Sequence, residues 1–321
     1  MPGARAVPGA LLATLRAVPT DLARIAARLA RDALWLLLWV LVWACVSIGV
    51  ALAGAIPARA LAPAHRVVSL NPSLTRIVVA LGARDALVGV DDFSARQDPS
   101  VASLPRVGGL YDPSLEAVVA LRPDLVVLVP SREQRDFRSR LEELRLPVLA
   151  LDPVRFDEVL ETIRVLGARV GREEAARARV DAIERTREAV RRATAGLPRR
   201  RAVFVLTREP LFVVGRGSFL DEMIAMAGAE NLGGALGESW PRASLEWLVA
   251  AAPDVLLDSD SDAQPAAAYW ARWASIPAVA RGRVVAVPAG EVTLPGPDLD
   301  HALVALARAL HGEALQIDPP R

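Results

Sequence analysis

Ser114-Leu-Glu-Ala-Val-Val-Ala-Leu-Arg-Pro-Asp-Leu-Val-Val127 returns later in the chain as Ser244-Leu-Glu-Trp-Leu-Val-Ala-Ala-Ala-Pro-Asp-Val-Leu-Leu257. Ser, Leu, Glu, Val, Ala, Pro and Asp stand at matching places, with no gap between the copies. Each copy predicts a short amphipathic helix that starts near its Ser and carries Glu in the first turn. Pro-Asp stops that helix. The continuous apolar run that follows suits a strand buried on both faces, as in a parallel sheet. Two copies so far apart predict two lobes of one architecture, not a short-period solenoid.

Around the first copy, residues 65–152 read as an amino-terminal lobe. Arg66–Leu70 is a strand, and Asn71-Pro72-Ser73 turns the chain into a helix from Leu74 to Leu81. Ala86–Val90 is a second strand, and the polar, proline-bearing stretch Asp91–Pro105 reads as a loop that holds Phe93. A charged helix over Ser131–Leu144 and a strand over Pro147–Leu151 close the lobe. Strands alternating with helices imply parallel sheets with right-handed crossovers.

Residues 153–198 read as a connecting helix. Arg172–Ala195 has no proline or glycine and would run roughly 36 Å at 1.5 Å per residue. Residues 199–321 read as the second lobe. There Arg201–Leu206 restarts the alternation, and Ala227-Gly-Ala-Glu-Asn-Leu-Gly233 echoes Leu81-Gly-Ala-Arg-Asp-Ala-Leu87. Trp240-Pro241, the second copy, the acidic loop Asp258–Pro265 and a closing helix over Leu299–Leu310 follow.

Before the lobes, Ala33–Ile56 is apolar and carries no charge, long enough to span a bilayer as a helix. Arg5, Arg16, Arg24, Arg28 and Arg31 precede it, against Asp21 and Asp32. The positive-inside rule keeps residues 1–32 in the cytoplasm and sends the rest across. Ala58-Arg59-Ala60 offers a cleavage pattern, but the long run and its extended leader favour an uncleaved anchor over a signal. Residues 57–64 then form a linker, and the lobes work in the periplasm, tethered to the inner membrane. The fold class is therefore α/β: two lobes with parallel sheets joined by a long helix, preceded by an amino-terminal transmembrane helix.

With 321 residues, 53% of them hydrophobic, and a net charge of +1, the chain can bury one large core or two ordinary ones and has no bulk attraction for nucleic acid. Cys45 is the single cysteine, which rules out an intrachain disulfide or a thiolate metal cage. His65, His301 and His311 are far apart, and no HExxH, GxSxG or CxxC occurs, so no enzyme signature is present. Gly215-Arg-Gly217 is read as a plain turn, since it lacks the rest of a phosphate loop. Asp258, Asp260 and Asp262 alternate in one loop. They read as a solvated acidic loop, because no glycine-and-glutamate frame for a cation follows. No metal site and no cofactor is expected.

Aromatic residues are more informative. Trp247 reads as core, and Trp270 and Trp273 share a helix face that suits a core equally well. Trp240 stands in a loop before a proline, and Tyr111 holds the corresponding place before the first copy. Flat side chains facing each other across a cleft suit a large planar ligand. The bland alternative is that each caps its own lobe.

From about Arg66 to Leu310 the chain resembles the helical-backbone substrate-binding proteins of ABC importers. The resemblance is carried by Leu70-Asn-Pro-Ser-Leu-Thr75, Leu81-Gly82, Val88-Gly-Val90, Gly108-Gly109, and Ser114-Leu-Glu with Arg122-Pro-Asp-Leu-Val-Val127. In the second lobe Ala229-Glu-Asn-Leu232, Trp240-Pro241 and Pro295-Gly-Pro297 carry it. It implies two parallel-sheet lobes, a ligand cleft between them and little hinge motion. It also implies docking to a permease through one surface glutamate per lobe, here Glu116 and Glu246. The Trp240-Pro241 stretch is most similar to the cobalamin receptors, and Phe93 falls where they carry an aromatic. The implied ligand-binding set is Phe93, Tyr111, Phe212, Trp240 and Glu291, with a corrinoid as ligand. Haem, with Tyr111 on its iron, an iron-siderophore, or a sensor without a transporter are the alternatives. Arg106, Arg132, Arg208 and Arg216 would serve an anionic siderophore, although surface placement is the expectation for each. Thr75-Arg76 and Asp298 depart from the family pattern, which has Thr-Glu at the first place and often an arginine at the second.

Overall fold

Residues 62–131, 135–260, 264–312 and 315–317 are described by the computed structural model. The first lobe contains β1 (Val67–Ser69), α1 (Pro72–Ala80), β2 (Leu87–Val90), α2 (Asp92–Gln97), α3 (Leu115–Ala120), β3 (Leu125–Leu128), α4 (Arg135–Glu143) and β4 (Val148–Ala150). Its strands lie in the order β2-β1-β3-β4, all parallel. Helix α1 begins two residues earlier than its pattern predicts. The Asn71 side chain accepts from the Ser73 amide at 2.9 Å, and Pro72 fills the first helical position, where its missing N–H costs nothing. Helix α2 lies inside the stretch expected to be a loop.

Two helices follow, α5 (Phe156–Arg169) and α6 (Glu173–Thr194). The second lobe holds β5 (Arg200–Arg208), β6 (Leu211–Val213), α7 (Phe219–Met226), β7 (Ala229–Asn231), α8 (Leu245–Ala251), β8 (Val255–Asp258), α9 (Ala266–Trp270), α10 (Pro277–Ala280), β9 (Val284–Ala286), α11 (Ala289–Val292) and α12 (Leu299–His311). Strands β7, β5, β8 and β9 pair in parallel, but β6 pairs antiparallel with β5. The second sheet is therefore mixed, not purely parallel. The cause is local: only Glu209 and Pro210 separate β5 from β6, and so short a connection joins antiparallel neighbours only.

The repeat is reproduced in the backbone. Ser114 and Ser244 cap α3 and α8 by accepting from Ala117 and Trp247 amides at 3.2 and 3.1 Å. Arg122 and Ala252, each just before its proline, take left-handed φ values of 45° and 47°. Such a backbone costs a residue with a side chain about 1 kcal/mol or more, so something must hold it. Asp124 accepts from the Arg66 amide at 2.9 Å, and Asp254 from the Arg201 amide at 3.2 Å. The guanidinium groups of Arg66 and Arg201 bond the last carbonyls of the two helices, Leu121 O at 2.6 Å and Ala251 O at 2.9 Å.

Apolar packing joins the lobes. One cluster runs from Val67 and Leu125 of the first sheet and Leu74 of α1 through Phe156, Ile163, Val180 and Ile183 of α5 and α6. It continues to Phe204, Val255 and Leu303 of the second lobe. Separate clusters cover the far face of each sheet, around Val118 and Leu141 in the first lobe and around Leu248 and Trp270 in the second. Each large side chain so buried contributes about 1.5–3 kcal/mol, so the two lobes and the helices between them share a core that resists hinging.

The membrane helix expected over residues 33–56 lies outside the described residues, as do the segments on either side of it, residues 1–32 and most of the linker 57–64. Among the described residues no helix is long and apolar enough to cross a membrane.

Candidate functional site

Ligands of open α/β sheets bind beyond the carboxyl ends of the strands, so the loops there define the candidate site. In the first lobe β2 runs into Asp91, which is wholly buried. Its carboxylate accepts from the Phe93 and Ser94 amides, each at 2.9 Å, and from the Ser94 hydroxyl. Asp91 is thus the cap of α2, the helix that carries Phe93. Ser94 Oγ also bonds Thr75 Oγ1 at 2.9 Å, and Thr75 donates to Ser69 Oγ at 2.8 Å. This buried hydroxyl chain ties β1, α1 and α2 together and fixes Phe93, 39% exposed with the Arg96 guanidinium 4.5 Å over its ring. Asp followed three residues on by Ser was the available signal for the cap, masked by the polar, proline-bearing composition around it.

Burial pushes the Asp91 carboxyl above the ordinary aspartate range, and its bonds to Ser94 and Phe93 oppose this without cancelling it. The folded chain therefore holds this proton at a pH where the unfolded chain has lost it. The resulting stability is complete below the unfolded value and is lost as pH rises through the folded one. Asp91→Asn keeps the cap acceptor and removes the titration. In urea melts from neutral pH down through the carboxylate range, the wild type gains stability relative to Asp91→Asn. Parallel profiles would contradict this account of Asp91.

Tyr111 sits at the tip of a tight loop closed by the bridge between Gly108 and Pro113, and it is 71% exposed. Gly108 has φ +100°, and a Cβ there would lie 2.8 Å from Asp112 O. In the second lobe the segment Ser239–Ala243 runs antiparallel beside β6. Val213 donates to Pro241 O at 3.1 Å, Gly215 to Ser239 O at 2.9 Å, and Ala243 to Leu211 O at 2.9 Å. Phe212 pairs with Arg242 in this ribbon, and its register puts Phe212 and Trp240 on one face. A Cβ at Gly215 would lie 1.9 Å from Glu238 O, so only glycine lets the Trp240 loop approach. Trp240 is 41% exposed and meets Phe219 edge-on, with centroids 6.4 Å apart. Glu291 is exposed on α11.

The structure thus brings Phe212 and Trp240 together in one lobe, and Phe93 and the Tyr111 loop together in the other. Asp92 N donates to Gly108 O at 2.9 Å, which joins these last two. Glu116 and Glu246 are exposed, each in the first turn of its repeat helix. A backbone hydrogen bond at Glu246 and one with the Ser244 side chain hold the Glu246 carboxyl below the usual glutamate range.

Two expectations are corrected. Asp258 is not in a solvated acidic loop: it is completely buried and accepts from Arg208 Nε at 3.0 Å and from the Trp270 indole. Arg208 is correspondingly not a surface residue. Its side chain is 5% exposed and donates to Gln264 O at 2.8 Å, with the Tyr269 ring 4.5 Å away. The reason is placement: Arg208 ends β5 and Asp258 ends the adjacent β8, so each neutralises the other inside the lobe. Asp262 and Arg132 lie outside the described residues. Arg106 and Arg216 are exposed, as expected. Among the described residues no group of three or more His, Cys, Asp or Glu side chains could hold a metal ion.

Comparison with known proteins agrees with the fold. The family described as periplasmic binding protein matches residues 67–290. The vitamin B12-binding protein of Salmonella choleraesuis is 27% identical over 218 residues, covering 67% of this chain and 81% of that protein. The periplasmic haem-binding protein RhuT of Roseiflexus superposes with a TM-score of 0.69 at 26% identity, covering 78% of this chain and 99% of its own. The periplasmic vitamin B12-binding protein BtuF of Vibrio cholerae also reaches 0.69, at 24% identity, over 78% of this chain and 97% of its own. At that identity it shows a shared fold.

Proposed function

This chain belongs to the periplasmic binding protein family, and from that premise we propose that it captures a corrinoid, cobalamin-like ligand between its lobes and delivers it to an ABC importer's permease. It is a substrate-binding protein, a ligand carrier and not an enzyme. The observation that carries the corrinoid reading is the set of exposed or half-buried aromatics near the strand ends, Phe93 of α2 and Tyr111 of its loop on one lobe, Phe212 of β6 and Trp240 of the neighbouring loop on the other. Such faces suit a broad, flat ligand with a polar edge, and Glu291 adds an acceptor. The vitamin B12-binding relatives support the choice. Glu116 and Glu246 are the docking carboxylates. In the same reading, residues 33–56 anchor the receptor in the inner membrane, and 57–64 link that anchor to the lobes.

One observation favours haem as the second reading: Tyr111 stands free at its loop tip, suited to an axial ligand, and RhuT is a haem-binding protein. Equilibrium dialysis of the full-length chain in detergent, against cyanocobalamin and against haemin, decides between them. Trp240→Ala weakens cyanocobalamin binding about tenfold or more, from lost stacking and lost apolar contact. Tyr111→Phe leaves it unchanged. Failure of the folded chain to bind cyanocobalamin rejects the corrinoid reading, and equal binding by Trp240→Ala takes the ligand away from Trp240. Haemin binding lost in Tyr111→Phe establishes the second.

A further inference from the structure

The segment from Val287 to Asp298 joins β9 to α12 and carries α11 with Glu291. Helix α11 has four residues, too few to persist by its own hydrogen bonds. Val292 anchors it by burial, and two arginines hold the segment from other parts of the fold. Arg179 of α6 donates to Pro297 O at 2.6 Å and pairs with Asp300, at or beyond the end of the segment. Arg76 of α1 donates to Gly290 O at 2.6 Å and pairs with Asp298. One guanidinium from the first lobe therefore grips the segment at two points eight residues apart, and one of them is the residue next to Glu291.

We propose that Arg76 is a positioning residue that ties the placement of α11, and with it Glu291, to the spacing of the two lobes. A guanidinium is a planar fork whose donors point in fixed directions, and hydrogen bonds weaken steeply beyond about 3.2 Å. A shift of α1 by an ångström or two relative to the second lobe breaks one or both grips and frees α11. Spreading the lobes thus loosens the rim that carries Glu291. This consequence for a ligand rests on the cleft reading above; the tie itself does not.

Amide hydrogen exchange on the full-length chain in detergent tests the tie. The Glu291, Val292 and Thr293 amides are bonded to Pro288 and Ala289 carbonyls and report on α11. In Arg76→Ala they exchange about tenfold faster or more, while the amides of α12 and of the first sheet keep their rates. Arg76→Lys, which keeps the charge and loses the fork, falls between. Unchanged rates at those three amides, or an equal rise along the whole chain, overturns the proposal. Should Arg76→Ala fail to fold, Asp298→Asn removes only the ion pair, and the same three amides must still quicken ahead of the rest. Dialysis of the same samples against cyanocobalamin and haemin separates the two claims. Faster exchange without binding of either keeps the tie and rejects the ligand reading, and binding with unchanged exchange does the reverse.

Discussion

Reversing the charge at both Glu116 and Glu246 abolishes ligand uptake and leaves ligand binding by the purified protein unchanged. The two effects separate because of where the carboxylates sit. Each is exposed in the first turn of a short helix whose first turn is already capped by a serine. Its stabilising effect on the helix dipole is about 0.3–1 kcal/mol, so its loss does not unfold a lobe. At a docking surface that meets arginines the scale differs: close charge pairs couple by about 1.5–7 kcal/mol, and like charges brought together cost several more. A backbone hydrogen bond and one with the Ser244 side chain hold the Glu246 carboxyl below the usual glutamate range. Uptake by cells whose only receptor is the Glu116→Arg, Glu246→Arg double variant falls to background. Uptake at the wild-type level would show that the glutamates only complement their helices, and would favour a sensor without a transporter.

Arg208→Met destabilises the protein by about 3–5 kcal/mol, since it leaves the wholly buried Asp258 carboxylate without its counter-charge. For a domain of this size each kcal/mol lowers the melting temperature by about 2–4 °C, so the variant melts roughly 10 °C lower. The double variant Arg208→Met, Asp258→Leu regains only part of that loss: the apolar pair leaves nothing charged in the core, but the buried Trp270 indole N–H loses its acceptor. A single variant that melts with the wild type would mean that water reaches Asp258 and that the pair is not sealed.

The repeat was legible because its parts act locally. A serine at the helix start, a first-turn glutamate, a Pro-Asp stop and an apolar strand each leave a mark within 14 residues. The long helix α6 was legible for the same reason. Helix α2 was not: its Asp91 cap is local but was masked by the polar, proline-bearing stretch around it, and the Ser94 bond to Thr75 that adds to it is tertiary and leaves no pattern. The antiparallel β6 left no mark, because Leu211–Val213 is too short for a pattern of its own and its pairing depends on β5. Arg208 and Asp258 looked like surface charges, since their pairing depends on β5 lying beside β8. Arg76 and Asp298 each departed from the family pattern and looked unrelated at 222 positions apart, yet they face each other as one ion pair. Trp240 and Tyr111 were legible by type and loop position and Phe93 by the family resemblance, whereas the glycines and buried hydroxyls that set their geometry needed the fold.

The measurement that bears most directly on the ligand reading is a tryptophan-fluorescence titration of the full-length chain in detergent with cyanocobalamin, corrected for absorbance with free tryptophan amide. Saturable quenching is predicted. In Trp240→Phe, which keeps an aromatic face, binding by dialysis persists while much of the quench disappears. No saturable change in a folded protein, or an undiminished quench in Trp240→Phe, would contradict the account and take the corrinoid away from the Trp240 loop.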